Sequence, residues 1–235
     1  MLYSDGACVC PLGTYFNGVQ CATILERATN STRPKFSRRT LQSTQTTQIT
    51  DSVTYTGQTF TSTDSSFSQS PMLQVAAAGL TVNFVNCTFD IAGQFLSSSY
   101  PVALNFTNCL VKLANTTSFL SLDYSGSCSG GHEGDLYIAN TVFSDGSLLG
   151  QSGLNRSLIT MKSLFDVTLQ SVTFTKMTLK HSISIHDYQC SSQLRQQAIS
   201  FNGITVTQSN VALTMALNGA SPVSVNLQQG AFSSI

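Results

Sequence analysis

Charge is what this 235-residue chain has least of: Asp, Glu, Lys and Arg make up 9% of it, and the formal net charge is zero. Soluble domains typically carry about 25% charged residues. So sparse and balanced a charge argues against nucleic acid or an anionic membrane as partner. Tryptophan is absent, which leaves Tyr137 or Tyr188 to supply any aromatic platform for a sugar. No apolar stretch reaches the roughly eighteen residues of a membrane-spanning helix. There is no G-x-S-x-G nucleophile elbow and no Gly-rich phosphate loop, so hydrolase and nucleotide-binding logic find no footing. The opening residues, MLYSDGACVC, lack the charged start and apolar run of a secretory signal. Either a signal has been processed away or the chain is a piece of something longer.

Hydroxyl groups stand in place of charge, with Ser and Thr making up roughly a quarter of the chain, alongside 41% hydrophobic residues. Those hydrophobic residues recur in a fixed order. Seven anchors, Gly57, Asn86, Asn108, Asn140, Ser171, Gly203 and Gln229, follow one another at intervals of 22 to 32 residues. Four before each stands Val53, Val82, Leu104, Leu136, Val167, Ile199 or Val225, and two before stands Tyr55, Phe84, Phe106, Ile138, Leu169, Phe201 or Leu227. Three after comes Phe60, Phe89, Val111, Phe143, Phe174, Val206 or Phe232. Apolar hits alone arise easily in so hydrophobic a chain, and the polar columns between them carry the weight. Three before the anchors lie Thr54, Asn83, Asn105, Tyr137, Thr168, Ser200 and Asn226; four after lie Thr61, Asp90, Lys112, Ser144, Thr175, Thr207 and Ser233. Alternation of this kind gives each strand an inward apolar face and an outward polar one.

Short strands at a period of about 20 to 35 residues predict a β-solenoid, in which each coil buries its apolar face only against the next. The anchors suit a bend, because Gly and Asn tolerate the left-handed conformation. Asn86, Asn108 and Asn140 share that column, so their amides could stack as a buried ladder along the axis. From roughly Leu41 to Ile235 the chain resembles the right-handed parallel β-helix, or pectin-lyase-like, family. The expected fold is all-β, a single-stranded parallel β-helix of about seven coils over 51–235, with a small Cys-rich segment before it.

Seven cysteines, an odd number, leave one thiol free or bonded across chains in an oxidised protein. The run Cys8-Val9-Cys10-Pro11-Leu12-Gly13-Thr14-Tyr15-Phe16-Asn17-Gly18-Val19-Gln20-Cys21 resembles the C-terminal half of an EGF-like module, over residues 1–25. That resemblance implies a Cys10–Cys21 disulfide and leaves Cys8 without its usual upstream partner, free for an intermolecular bond unless it finds one elsewhere in the chain. Cys87 and Cys109 each follow an anchor Asn in neighbouring coils. They are read as two buried thiols or as a stacked pair, since parallel side chains at a strand spacing of about 4.8 Å are poorly aimed for a bond. Cys128 and Cys190 lie in long loops, and a bridge stapling those loops is the preferred pairing.

Residues 22–28 could form one or two helical turns. Arg27, Arg33, Lys35, Arg38 and Arg39 supply five of the eleven basic residues around Pro34, in a segment read as an extended linker or arm over 26–50. It is a solvated linker by default; a contact arm or processing site is the functional reading. Five N-x-Ser/Thr sequons fall at Asn30, Asn86, Asn105, Asn115 and Asn155. Asn105 projects outward between Leu104 and Phe106, Asn30 and Asn155 lie in linker and loop, and Asn115 lies past Leu113, so these four are expected to carry N-linked glycans. At Asn86 the ladder is favoured over a glycan.

Polysaccharide-cutting β-helices use clustered carboxylates, or a basic residue beside calcium, across consecutive coils. The nearest approach here is Asp135 and Asp166, each five residues before an anchor, with His132, Glu133, Asp145 and Asp187 nearby in sequence. Such a pair could share a proton or bind calcium, but no Arg or Lys joins it at a repeated offset. GGHEGD over 130–135 departs from the Gly-His-Gly of polygalacturonases at Glu133. Asp90 and Lys112 share an offset and would form a surface ion pair of little energy. His186-Asp187 suggests an acid–base pair, yet His181 and His186 lack the company of a zinc site.

The expectation is therefore an extracellular, glycosylated structural protein. It would be a subunit of a cell-surface fibre or coat, joined head-to-tail to identical chains through its solenoid ends and N-terminal arm. No catalytic role, metal or cofactor other than N-linked glycans is expected. A carbohydrate-binding or adhesin module of a larger surface protein is the alternative, and a polysaccharide lyase or hydrolase the third reading.

Overall fold

In the computed structural model the chain divides into two compact units, Met1–Ser37 and Arg38–Ile235. The structure describes residues 2–4, 7–9, 14–16, 21–23, 40–42, 46–62, 70–113, 118–124, 134–145, 156–162, 165–177, 181–186, 197–209, 211–216, 223–228 and 231–233. The described residues are all-β. In the first unit Leu2–Ser4 pairs antiparallel with Ala7–Val9, and Thr14–Phe16 pairs antiparallel with Cys21–Thr23. Ala22 thus lies in a strand rather than in the helical turns expected over 22–28; residues 24–28 lie outside the described set.

The second unit is a parallel β-helix of three sheets. Sheet I has seven strands, Val53–Thr56, Leu80–Val85, Val102–Thr107, Gly134–Ala139, Phe165–Gln170, Gln197–Asn202 and Val223–Gln228. Sheet II has eight, Thr40–Gln42, Thr59–Ser62, Thr88–Ile91, Leu110–Leu113, Val142–Asp145, Thr173–Thr175, Thr205–Thr207 and Ala231–Ser233. Sheet III has seven, Thr47–Ile49, Leu73–Val75, Gln94–Ser98, Ser118–Asp123, Arg156–Lys162, His181–His186 and Val211–Ala216. The chain visits I, II and III in turn, completing six coils, with a partial coil on either side. The solenoid begins before residue 51: Thr40–Gln42 and Thr47–Ile49, inside the expected linker, pair in register with Thr59–Thr61 and Leu73–Val75. Leu41 stands in register with Phe60, and the buried Ile49 with Val75, a signal that the surrounding Ser, Thr and Gln obscure.

Every column read from the sequence in sheets I and II is a register column here. Phe84 faces Tyr55 and Phe106 on the neighbouring strands, and Phe89 faces Phe60 and Val111. The strand Val102–Thr107 alternates buried and half-buried residues along its whole length. The turn from sheet I to sheet II is made by the anchors: Gly57, Asn86, Asn108, Asn140, Ser171 and Gly203 all have φ between 48° and 66°. The backbone amides of Gly57, Asn86, Asn108, Asn140 and Ser171 are satisfied by the next coil. Asn86 N–H donates to Thr107 O at 2.9 Å, and Asn108 N–H to Ala139 O at 3.0 Å. A coil without its neighbour would leave those groups unpaired.

The interior is rich in phenylalanine because rings in one column stack at the strand spacing. Phe84 and Phe106 stack at 4.7 Å, Phe60 and Phe89 at 5.1 Å, and Phe95 and Phe119 at 5.1 Å. Between sheets the rings meet edge to face, as Phe89 and Phe95 do at 4.8 Å. Both arrangements suit the ring quadrupole.

Candidate functional site

On the outer face of sheet I, Asp135 and Asp166 are register partners on neighbouring strands, both half-buried. The structure therefore brings together the two carboxylates singled out from the sequence. Asp166 is tied down: its Oδ1 accepts a hydrogen bond from the N–H of Ala198 on the following coil at 2.9 Å. Two residues along, Tyr137 donates its hydroxyl to Gln170 Oε1 at 3.1 Å. Tyr124 is buried and feels the charge of Asp135: burial pushes its hydroxyl well above the usual tyrosine range, and that charge adds to the rise. This face holds two acids, a phenol and an amide on a flat strand surface. Among the described residues no three His, Cys, Asp or Glu side chains gather as a metal site requires.

The same face carries an amide ladder, though not in the expected column. Asn105 Nδ2 donates to Asn83 Oδ1 at 2.8 Å, and Asn83 Nδ2 donates to Thr54 Oγ1 at 3.0 Å. A side-chain pair of the same kind joins Gln48 to Gln74 on sheet III at 2.8 Å. Asn86, Asn108 and Asn140 are instead exposed at the turn, which corrects the expectation of a buried ladder at Asn86. A left-handed corner residue points its side chain away from the core, whereas an outward strand position lies directly over its equivalent in the next coil.

Inside that corner runs a second polar column, Gln58, Cys87, Cys109 and Thr141, linked by Thr88 N–H to Gln58 O, Leu110 N–H to Cys87 O and Val142 N–H to Cys109 O. Cys87 and Cys109 are buried free thiols, 1% and 3% exposed. Cys87 Sγ donates to Tyr55 O and Val85 O at 3.5 Å, and Cys109 Sγ to Phe84 O and Thr107 O at 3.4 Å. Burial raises both thiols; Cys109 is pushed up to about 11, the neighbouring Cys87 adding to the effect. Gln58 Oε1 is buried without a hydrogen-bond partner among the described residues.

Asp90 and Lys112 are register partners, but no ion pair joins them. The ion pair among the described residues is Asp123 with Lys162, at 3.1 Å across sheet III. It was not legible because the loops preceding sheet III vary in length, so its residues keep no constant distance from the anchors. Cys8 stands opposite Tyr3 and Cys21 opposite Phe16 in the N-terminal hairpins. Cys10, Cys128, Cys190, Asn30, Asn115, Asn155, His132, Glu133, Asp187 and Tyr188 lie outside the described residues, as does Gln229. No family model matches the chain, and neither does any curated protein or solved structure.

Proposed function

We propose that this chain is a structural subunit of an extracellular fibre or coat, built by stacking its parallel β-helix head-to-tail on copies of itself. The observation that carries this reading is the axial repeat. Among the described residues the strands of all three sheets pair in parallel register with their equivalents one coil away, so each coil presents to a like coil the same backbone row. Unpaired sheet edges are templates for a like strand, and a contact of one end with the other propagates without closing. The outer ladders of Asn, Thr and Gln run along the axis and tie successive coils together. An extracellular setting agrees with the hydroxyl-rich, nearly uncharged surface, the pectin-lyase-like pattern and the EGF-like run at Cys8, Cys10 and Cys21. Within that setting Asn86 is the best-presented sequon of the described residues, while the amide of Asn105 is engaged with Asn83. N-linked glycans at Asn30, Asn86, Asn105, Asn115 and Asn155, and Cys10–Cys21 and Cys128–Cys190 bridges, belong to the same proposal.

Electron microscopy of the purified chain across a concentration series tests it. Filaments one solenoid wide are expected at high concentration; dispersed monomers throughout would rule the reading out. The juxtaposition of Asp135, Asp166, Tyr137 and Gln170 favours a second reading, a carbohydrate-binding module whose carboxylates accept hydrogen bonds from sugar hydroxyls. A monomeric chain that retains defined glycans, and loses them on Asp135→Ala or Asp166→Ala, would establish it. Detected polysaccharide cleavage abolished by the same substitutions would indicate the enzymatic reading.

A further inference from the structure

The corner between sheets I and II holds two buried thiols that the packing of the coils does not require. Cys87 and Cys109 follow the exposed turn residues Asn86 and Asn108 and are themselves buried. Register pairs bracket them on both sides, Val85 with Thr107 before and Thr88 with Leu110 after. Each sulfur also makes the same two contacts. Cys87 Sγ donates to Val85 O in its own coil and to Tyr55 O in the coil before, while Cys109 Sγ donates to Thr107 O and to Phe84 O. Tyr55 and Phe84 are register partners, as are Val85 and Thr107, so the second thiol is the first translated by one coil. Their sulfurs therefore lie one strand spacing apart, about 4.8 Å.

That separation selects among the bonds two cysteines can share. A disulfide needs its sulfurs about 2.05 Å apart, less than half the spacing, and a tetrahedral zinc with bonds of about 2.3 Å needs them at about 3.8 Å. Two metal–sulfur bonds of that length laid in a straight line span about 4.6 Å, which the two side chains match as they stand. Zinc also wants two further ligands. The column offers Thr141 Oγ1, which already donates to Ala139 O and accepts from Cys109 N–H, and Gln58 Oε1, a hard amide oxygen. Soft thiolates with no further donor suit the soft d10 ions that are content with two ligands. We propose that Cys87 and Cys109 form a two-coordinate site, bridging neighbouring coils, for a soft monovalent cation of the Cu(I) and Ag(I) class. On binding, two S–H bonds break, two sulfur–metal bonds form and two protons pass to solvent. The one negative charge left over lies a single residue from the exposed Asn86 and Asn108, close to water. The ion ties together two coils that Leu110 N–H already joins to Cys87 O at 3.0 Å.

Burial closes the site to an ion added to the folded chain, so the ion is supplied during refolding. The full 235-residue chain and the Cys87→Ser, Cys109→Ser and Cys87→Ser/Cys109→Ser variants are refolded from urea with excess Ag(I). Glutathione then strips silver from exposed thiols, and native mass spectrometry counts what remains. The parent should keep one silver ion per chain more than any variant, and its unfolding equilibrium in urea should shift toward the folded state at least about tenfold on loading. Equal silver in the parent and the double variant would overturn the site. Retention of that ion by either single variant would reduce it to one thiol and overturn the bridge. Zn(II) carried through the same steps should leave parent and variants alike, and a zinc ion held by the parent alone would overturn the two-coordinate assignment. If the serine variants do not refold, X-ray absorption on the silver-loaded parent decides. Two sulfur neighbours for each retained ion are expected, and additional oxygen, nitrogen or sulfur neighbours would overturn the linear site.

Discussion

Asn140 shows how a single backbone conformation supports the coil. Its φ of 48° is one that costs an ordinary L-residue roughly 1–2 kcal/mol, and asparagine reduces that cost through local hydrogen bonding. Asn140→Gly should leave stability within about 1 kcal/mol of the parent, while Asn140→Val should lose about 2 kcal/mol, since a β-branched side chain tolerates this region worst. Urea unfolding of the three proteins decides it, and equal losses would show that the turn does not need the left-handed residue. The buried thiols make a pH-dependent contribution. Cys109 rises from 9.0 to about 11 on folding, so the folded state favours its protonated form. The stability this group contributes is intact below pH 9, falls as pH climbs from about 9 to about 11, and levels off above. Cys87 moves in the same direction. The unfolding free energy from urea titration should therefore fall more steeply across pH 9 to 11 in the parent than in the Cys87→Ser/Cys109→Ser variant, by an amount on the order of 2 kcal/mol. Thiol reagents at pH 7 should modify neither cysteine until the chain unfolds.

At the scale of the strand, inward and outward positions should respond very differently. Phe89 is fully buried and meets Phe60, Phe84, Phe95, Phe106 and Phe119. Phe89→Ala should cost about 3–5 kcal/mol, whereas Asp90→Ala on the adjacent outward position should change stability by less than about 0.5 kcal/mol. Denaturant titration of both variants measures the contrast, and comparable losses would contradict the assigned register. Sheets I and II were legible because Tyr55, Phe84 and Phe106, with Phe60 and Phe89, keep constant distances from a turn residue of one conformation. Sheet III was not. Connections such as 63–72 and 92–93 differ in length, and a register shift at Ser157/Ile159 adds a residue to one strand. Of the candidate site, the Asp135–Asp166 pairing could be read from a shared offset. Its tie to Ala198 N–H could not, because a hydrogen bond to a backbone group on the following coil leaves no trace in side-chain pattern. The sequence suggests the ladder at Asn86, Asn108 and Asn140 because those residues repeat most visibly. It belongs to Asn83 and Asn105, which sit where adjacent coils superimpose.

Across the whole second unit, each coil touches only the coil before and the coil after it, so stability is close to a sum of coil terms and nearest-neighbour interfaces. The central strands, Leu80–Val85 through Val142–Asp145, have neighbours on both sides and contain most of the stacked phenylalanines. The outermost strands have one neighbour each, and in sheet II they are three residues long. Opening an end coil breaks one interface, while opening a central coil breaks two. Amide hydrogen exchange should therefore show protection highest over residues 80–113 and falling toward Thr40–Gln42 and Ala231–Ser233, with fraying free energies near zero at the ends. Exchange measured by mass spectrometry resolves that gradient at peptide level, and uniform protection along the chain would mean that the stack unfolds as one unit rather than coil by coil.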